Sequence, residues 1–169
     1  MKLAHRLLLF TIITVCLILL TTSCAGGKQV SIALSLSAKQ VTPGEQFKVQ
    51  VQVEPQKQGV SAGEINLSFD SQAMQVVEVK PGELLGERPL PGILNIDNEA
   101  GTLGYSLARI GETTAPTSGA TFAVITFQIL NSAQPGDYEL TFSSVGFANE
   151  NFEDIPDIQV KETSIKIKT

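Results

Sequence analysis

The 169-residue chain is poorest in the residue types from which active sites are assembled: it has one histidine, no tryptophan and two cysteines. His5 is that histidine, and it lies in the first few residues, ahead of a long apolar run. Without histidine in the remainder, no Ser-His-Asp or Cys-His constellation and no histidine-bearing zinc site can form there. Helical periodicity is also lacking outside the apolar run, apart from a single turn expected near Asp70 to Met74. Positive charge is scarce as well, with 12 Lys and Arg against 17 Asp and Glu, which excludes a basic nucleic-acid footprint.

What the chain does carry begins with a targeting pattern. Lys2 and Arg6 precede an uncharged run from Leu7 to Leu20, followed by Thr21-Thr22-Ser23-Cys24. Fourteen uncharged positions fall short of the ~20 apolar residues that span a bilayer, so residues 1–23 are read as a removed signal peptide. The stretch Leu20-Thr21-Thr22-Ser23-Cys24-Ala25-Gly26-Gly27 resembles a bacterial lipobox, with Thr21 where that motif prefers a large apolar residue. The resemblance implies lipidation of Cys24, export, and a membrane anchor facing the extracytoplasmic side, with residues 24–28 as a short tether.

Cleavage there also removes Cys16, leaving Cys24 alone and no disulfide to form. Lys2 and Arg6 leave too, so ten basic residues face seventeen acids, a formal charge of −7. That charge disfavours an electrostatic grip on anionic lipid and leaves the acyl chains as the attachment.

From residue 29 to 169 the apolar residues alternate with a period of two, as in Val30-Ile32-Leu34-Leu36, Phe47-Val49-Val51-Val53 and Ile65-Leu67-Phe69. Turn signals such as Thr42-Pro43-Gly44-Glu45, Lys80-Pro81-Gly82, Glu99-Ala100-Gly101 and Gln134-Pro135-Gly136-Asp137 separate the runs. Half-buried strands at this spacing predict one all-β domain, a nine-stranded antiparallel β-sandwich of jelly-roll type. The first and last strands are expected to pair, with Lys161 and Lys166 guarding edges.

Three stretches resemble the cohesin family, the β-sandwich modules that bind dockerin domains. They are Val41-Thr42-Pro43-Gly44-Glu45-Gln46-Phe47-Lys48-Val49; Gly59 to Asp70 with Val76 to Leu84; and Gly101 to Ala108 with Phe122 to Phe127, Pro135-Gly136 and Val145 to Asn149. The resemblance implies a non-catalytic surface module that tethers a dockerin-bearing or similar extracellular protein, in a setting of polysaccharide degradation. Alternation turns Ile65, Leu67 and Phe69 inward with Leu103, Tyr105 and Leu107. The outward positions of those strands carry short side chains, and the resemblance makes them the docking face. Glu64, Asn66, Ser106 and Arg109 are the candidate partner contacts. Glu64 matches an acidic position of the family, whereas Ala62 stands where asparagine is common and Arg109 where many members have an acid.

Direct polysaccharide binding is the alternative, and the sequence supplies little for it. Tyr105 and Tyr138 fall on inward positions, while Phe147 and Phe152 are assigned to core or edge packing. Glu150, Glu153, Asp154 and Asp157 form an acidic stretch that lacks the alternate-position oxygens and central glycine of a calcium loop, and is read as solvated. The sequon Asn66-Leu67-Ser68 lies within a predicted strand and is read as chance. No residue pair is singled out for catalysis, and no metal or cofactor is called for.

Overall fold

The computed structural model describes residues 29–111 and 114–169. The signal peptide, Cys24 and the tether expected from the sequence lie outside these residues. Eleven strands occur among the described residues, two more than expected, and no helix. In chain order they are β1 (Ser31–Leu36), β2 (Gln40–Val41), β3 (Gln46–Glu54), β4 (Ala62–Ser68), β5 (Met74–Pro81), β6 (Leu90–Asp97), β7 (Thr102–Ala108), β8 (Ala120–Ile129), β9 (Gly136–Ala148), β10 (Gln159–Lys161) and β11 (Thr163–Ile167).

They form a sandwich of a five-stranded sheet, β10-β1-β3-β8-β5, and a six-stranded sheet, β2-β11-β9-β4-β7-β6. The single helical turn is present where expected: the amides of Ala73 and Met74 both donate to the Asp70 carbonyl, and the Asp70 carboxylate accepts from the Gln72 amide.

Two corrections concern the closure. The N-terminal segment changes sheets between β1 and β2, and the C-terminal segment does the same between β10 and β11. The chain termini therefore pair twice, and in parallel, β1 with β10 and β2 with β11, rather than as one antiparallel pair of first and last strands. This splitting of each terminal run raises the strand count. Lys161 does lie on an edge strand, β10, but Lys166 lies on β11, which is enclosed between β2 and β9.

Alternation places the core as read: Ile65, Leu67 and Phe69 of the β4 run and Leu103, Tyr105 and Leu107 of β7 are all buried between the sheets. Aromatic rings fill the two ends. Phe127 stacks on Phe47 and meets Phe69 edge-on at one end, while Phe122 meets Tyr105 and Phe147 edge-on at the other. A bulge in the β3–β8 pairing leaves Phe122 without an opposite residue, and its ring enters this second cluster. Gly63 makes room for it, because a methyl group there would collide with the Phe147 ring. Among the described residues the buried apolar side chains run from Val30 to Ile167 and form one continuous core.

The register also sorts the loops. Ser31 pairs with Glu54, Val53 with Ala120, and Ala62 with both Ala108 and Ala148. The described chain therefore enters at the end that also holds residues 55–61, 82–89, 109–111, 114–119 and 149–158. The turns at 42–45, 70–73, 98–101 and 131–135 lie at the far end, with the C-terminus.

Candidate functional site

The outer face of the six-stranded sheet is paved in cross-strand rows. Starting at the entry end, Ala148, Ala62, Ala108 and Leu90 stand side by side on β9, β4, β7 and β6. The next row is Gly146, Glu64 and Ser106, and the third is Ser144, Asn66, Gly104 and Asn95. Most of these side chains are very short, so a partner can approach the backbone closely across the centre of the face. Gly146 is exposed, and a methyl group placed there would have no neighbour within 4 Å.

Asn66 lies flat across this surface. Its amide group donates to Glu64 Oε1 at 3.1 Å and to Ser144 Oγ at 2.9 Å, while its oxygen sits over Gly104. These bonds hold Glu64 and Asn66 as one unit. Ser106 has a different employment: its Oγ accepts a 2.7 Å hydrogen bond from the Ile93 amide, at the bulge where β6 slips against β7 between Pro91 and Leu94. A methyl group at Gly92 would collide with that hydroxyl, so Ser106 and Gly92 together shape the bulge.

Arg109 stands apart from the other three candidate residues. It follows the end of β7, where its amide donates to the Ser61 carbonyl at 2.7 Å and its guanidinium Nη1 to the Gly111 carbonyl at 3.4 Å. It lines a cleft of about 710 Å³ among the entry-end loops, together with Glu83, Leu84, Arg88 and Ile110. The structure thus gathers Glu64, Asn66 and Ser106 on one face and puts Arg109 around its end.

Several residues of this region are not evident from alternation. Every residue of β6 is exposed, and Leu90 and Ile93 keep over half of their surface open beside the face. β6 is the outermost strand of its sheet, and the bulge between Pro91 and Leu94 interrupts the period of two, which brings Ile93 beside Gly104 on the outer face. The Pro91-Gly92 pair is the signal that marks the bulge. Asp154 is brought to the β9 edge by an isolated bridge to Ala148. A shallow depression of about 360 Å³ results, walled by Glu64, Leu90 and Asp154 and floored by the alanine row.

Tyr105 lies directly beneath this face, and burial raises its phenol pKa above the usual 10.0. Of the two phenylalanines assigned to packing, Phe147 is buried as expected, but Phe152 is 69% exposed, with a backbone φ of 60°. The hydrogen bonds of Asn149 impose that conformation, since its Oδ1 accepts from the amides of Asn151 and Glu153 and its Nδ2 donates to Glu153 Oε2. The acidic stretch is therefore a compact loop around Asn149. Among the described residues no three His, Cys, Asp or Glu side chains are placed to hold a metal ion.

The opposite outer face, on the five-stranded sheet, carries Gln46, Lys48, Gln50 and Gln52 on β3 beside Thr121, Thr126 and Gln128 on β8. These side chains bond to one another, Gln46 to Gln128 at 2.9 Å and Gln52 to both Thr121 at 2.9 Å and Gln50 at 3.2 Å.

Comparison with known proteins places this arrangement. No curated protein sequence matches the chain. The cohesin of OlpA from Clostridium thermocellum, solved in complex with Doc918, superposes with a TM-score of 0.67 at 17% identity, over 83% of this chain and 100% of that one. The seventh ScaB type I cohesin of Pseudobacteroides cellulosolvens gives 0.66 at 16% identity, over 83% and 93%. A non-cellulosomal cohesin from the archaeon Archaeoglobus fulgidus gives 0.64 at 14% identity, over 83% and 92%. At these identities the superpositions establish the fold. The family model described as Cohesin domain matches residues 32–167, well over half of the sequence, and the chain belongs to the cohesin domain family.

Proposed function

We propose that this chain is a non-catalytic docking module, held outside a membrane by a lipid on Cys24, that captures a dockerin-bearing or similar extracellular protein on the outer face of its six-stranded sheet. The observation that carries this reading is the face itself: rows of alanine, glycine, serine and asparagine, an apolar rim at Leu90 and Ile93, and open space above Gly146. A partner helix can lie against such a surface with its backbone close to the sheet. Family membership, and the dockerin complex in which the OlpA cohesin was solved, support a dockerin as the partner class.

The anchor follows from the lipobox-like sequence ahead of the domain. Five residues, Ala25 to Gln29, separate Cys24 from Val30 and extend to about 17 Å at most. The entry end of the sandwich is then held close to the membrane, and the docking face stands beside the bilayer. Confinement to two dimensions raises the effective concentration of captured protein. In this reading the captured proteins are polysaccharide-degrading enzymes.

The test uses the full chain in its source cells. Membrane fractions are expected to contain it, with its captured partner, and Cys24→Ser is expected to release it or leave it unprocessed. Gly146→Trp is expected to keep the membrane attachment and lose the partner. Unchanged fractionation of Cys24→Ser overturns the anchor, and retention of the same partner by Gly146→Trp overturns docking through this face.

A further inference from the structure

We propose that the loops at the entry end of the sandwich seat the domain directly on the lipid bilayer, with Phe152 and Ile110 entering its interface; this rests on the anchor reading above, a lipid on Cys24, and not on docking. Among the described residues Phe152 and Ile110 are the two most exposed large apolar side chains, at 69% and 61%. Both belong to entry-end loops, Ile110 just after β7 and Phe152 between β9 and β10, whereas the far-end turns 42–45, 70–73, 98–101 and 131–135 expose no large apolar side chain. β7 and β9 flank β4, with Ala108 and Ala148 on either side of Ala62, so the two loops leave the sheet about 10 Å apart.

The loop around Phe152 is built to present its ring. Asn149 Oδ1 accepts from the amides of Asn151 and Glu153, and the Phe152 amide donates to the Asn149 carbonyl at 3.0 Å. These bonds fix Phe152 at a φ of 60°, which a residue other than glycine adopts at a cost, while the exposed ring gains little packing within the domain.

The occupant follows from where the described chain starts. The Val30 carbonyl accepts from the Gln159 amide at this same end, and the five residues between Cys24 and Val30 extend to about 17 Å at most. With a lipid on Cys24, the entry-end loops are never far from acyl chains. A tether containing Gly26 and Gly27 limits distance but leaves the domain free to swivel. Apolar side chains on two separate loops remove that freedom, and weak contacts suffice because the tether makes them intramolecular. Acids outnumber bases six to three in the described residues of the entry-end loops, so the attraction is apolar, and a zwitterionic surface suits it better than an anionic one. Seated in this way, the strands rise from the bilayer and the face of the six-stranded sheet stays open beside it.

The test uses the full chain, purified with its lipid, checked by mass spectrometry and reconstituted into phosphatidylcholine vesicles. The sequence has no tryptophan, so Phe152→Trp, Ile110→Trp and the exposed far-end control Gln72→Trp each carry a single fluorescent reporter. Phosphatidylcholine brominated near the head-group end of its acyl chains quenches such a ring by contact. Emission of Phe152→Trp and of Ile110→Trp is expected to shift to the blue and fall by about half, as for rings about 5–10 Å into the interface, and that of Gln72→Trp to fall by less than about a tenth. Equal quenching at all three positions, or none at Phe152→Trp and Ile110→Trp, overturns the seat.

Lipid composition supplies a second measurement on the same samples. Replacing half of the phosphatidylcholine with phosphatidylglycerol is expected to weaken the quenching of Phe152→Trp at low salt, and stronger quenching would overturn an apolar seat. If the purified chain carries no lipid on Cys24 and leaves the membrane fraction, the anchor reading falls and the seat with it. If the lipid is present but the two entry-end reporters stay unquenched, or shift only when the captured partner is added, the anchor stands and the seat is overturned.

Discussion

The two outer faces of the sandwich share one strand geometry and differ in side-chain length. On the five-stranded sheet, long amides at Gln46, Gln50, Gln52 and Gln128 bond in pairs and to the Thr121 hydroxyl, so the surface is already occupied by its own hydrogen bonds. A partner arriving there must break those bonds or order flexible side chains. On the six-stranded sheet the outward positions are mostly alanine, glycine and serine, with Asn66 and Glu64 tied together at the centre. A partner there meets backbone and methyl groups with little side-chain entropy to lose. One face is covered by its own side chains and the other leaves its backbone open, which is the contrast on which the proposed docking rests.

The strongest way to break this comparison is to put bulk on each face in turn. Tryptophan at Gly146 enters open space on the docking face, and partner affinity is expected to fall by about 100-fold or more, as when the centre of an interface is blocked. Tryptophan at Gln50, exposed on the other face, is expected to leave the affinity within about twofold. Titration calorimetry with the captured partner reads both. Equal losses would erase the functional distinction between the faces.

A second experiment addresses how the edge strands stay in place beside the docking face. Asn98, just after β6, accepts from the Val76 amide at 2.8 Å and donates to the Val76 carbonyl at 3.0 Å, tying the end of one sheet to the edge strand of the other. Asn98→Ala is expected to lower stability by about 1–2 kcal/mol, measured by urea unfolding, because two partly buried backbone groups lose their partner.

Smaller effects sharpen the contrast further. Ser106→Ala removes the acceptor for the Ile93 amide and is expected to cost about 1 kcal/mol, because the hydroxyl sets the β6 bulge. Gln52→Ala removes two hydrogen bonds on the opposite face, an exposed one to Gln50 and a part-buried one to Thr121, and is expected to cost about 0.5 kcal/mol, since water replaces the exposed bond. A larger loss at Gln52 than at Ser106 would contradict the assignment of Ser106 to the architecture of the edge.

The smallest effect is confined to alkaline pH. Burial holds the Tyr105 phenol neutral in the folded protein, with a pKa raised above 10.0. The unfolded chain ionises this group first, so its contribution is fully present below about pH 10 and declines as the pH rises beyond it. Tyr105→Phe is therefore expected to reduce the fall in urea midpoint between pH 9 and pH 11. An unchanged slope would mean that this phenol does not govern alkaline stability beneath the docking face.

Much of this protein was determined by local pattern. Alternation at Ile65-Leu67-Phe69 and Leu103-Tyr105-Leu107 settles which side of each strand is core, because burying one face of a strand leaves its neighbours no other choice. The same logic put Glu64, Asn66 and Ser106 outward. The turn at Asp70 was legible because a short acid can cap its own turn.

Tertiary structure alone decided the rest, since it depends on contacts between residues distant in the chain. The parallel pairing that splits both termini between the sheets joins Ser31 to Gln159 and Val41 to Ile167, which no local period encodes. The sheet order makes β6 an exposed apolar edge, and the Pro91-to-Leu94 bulge, closed by Ser106, commits a hydroxyl that alternation alone leaves free for a partner. Register across four strands lines up Ala148, Ala62, Ala108 and Leu90, and the return of the 149–158 loop brings Asp154 to that row. A strand's own sequence fixes which way its side chains point; only pairing between strands decides which of them become neighbours.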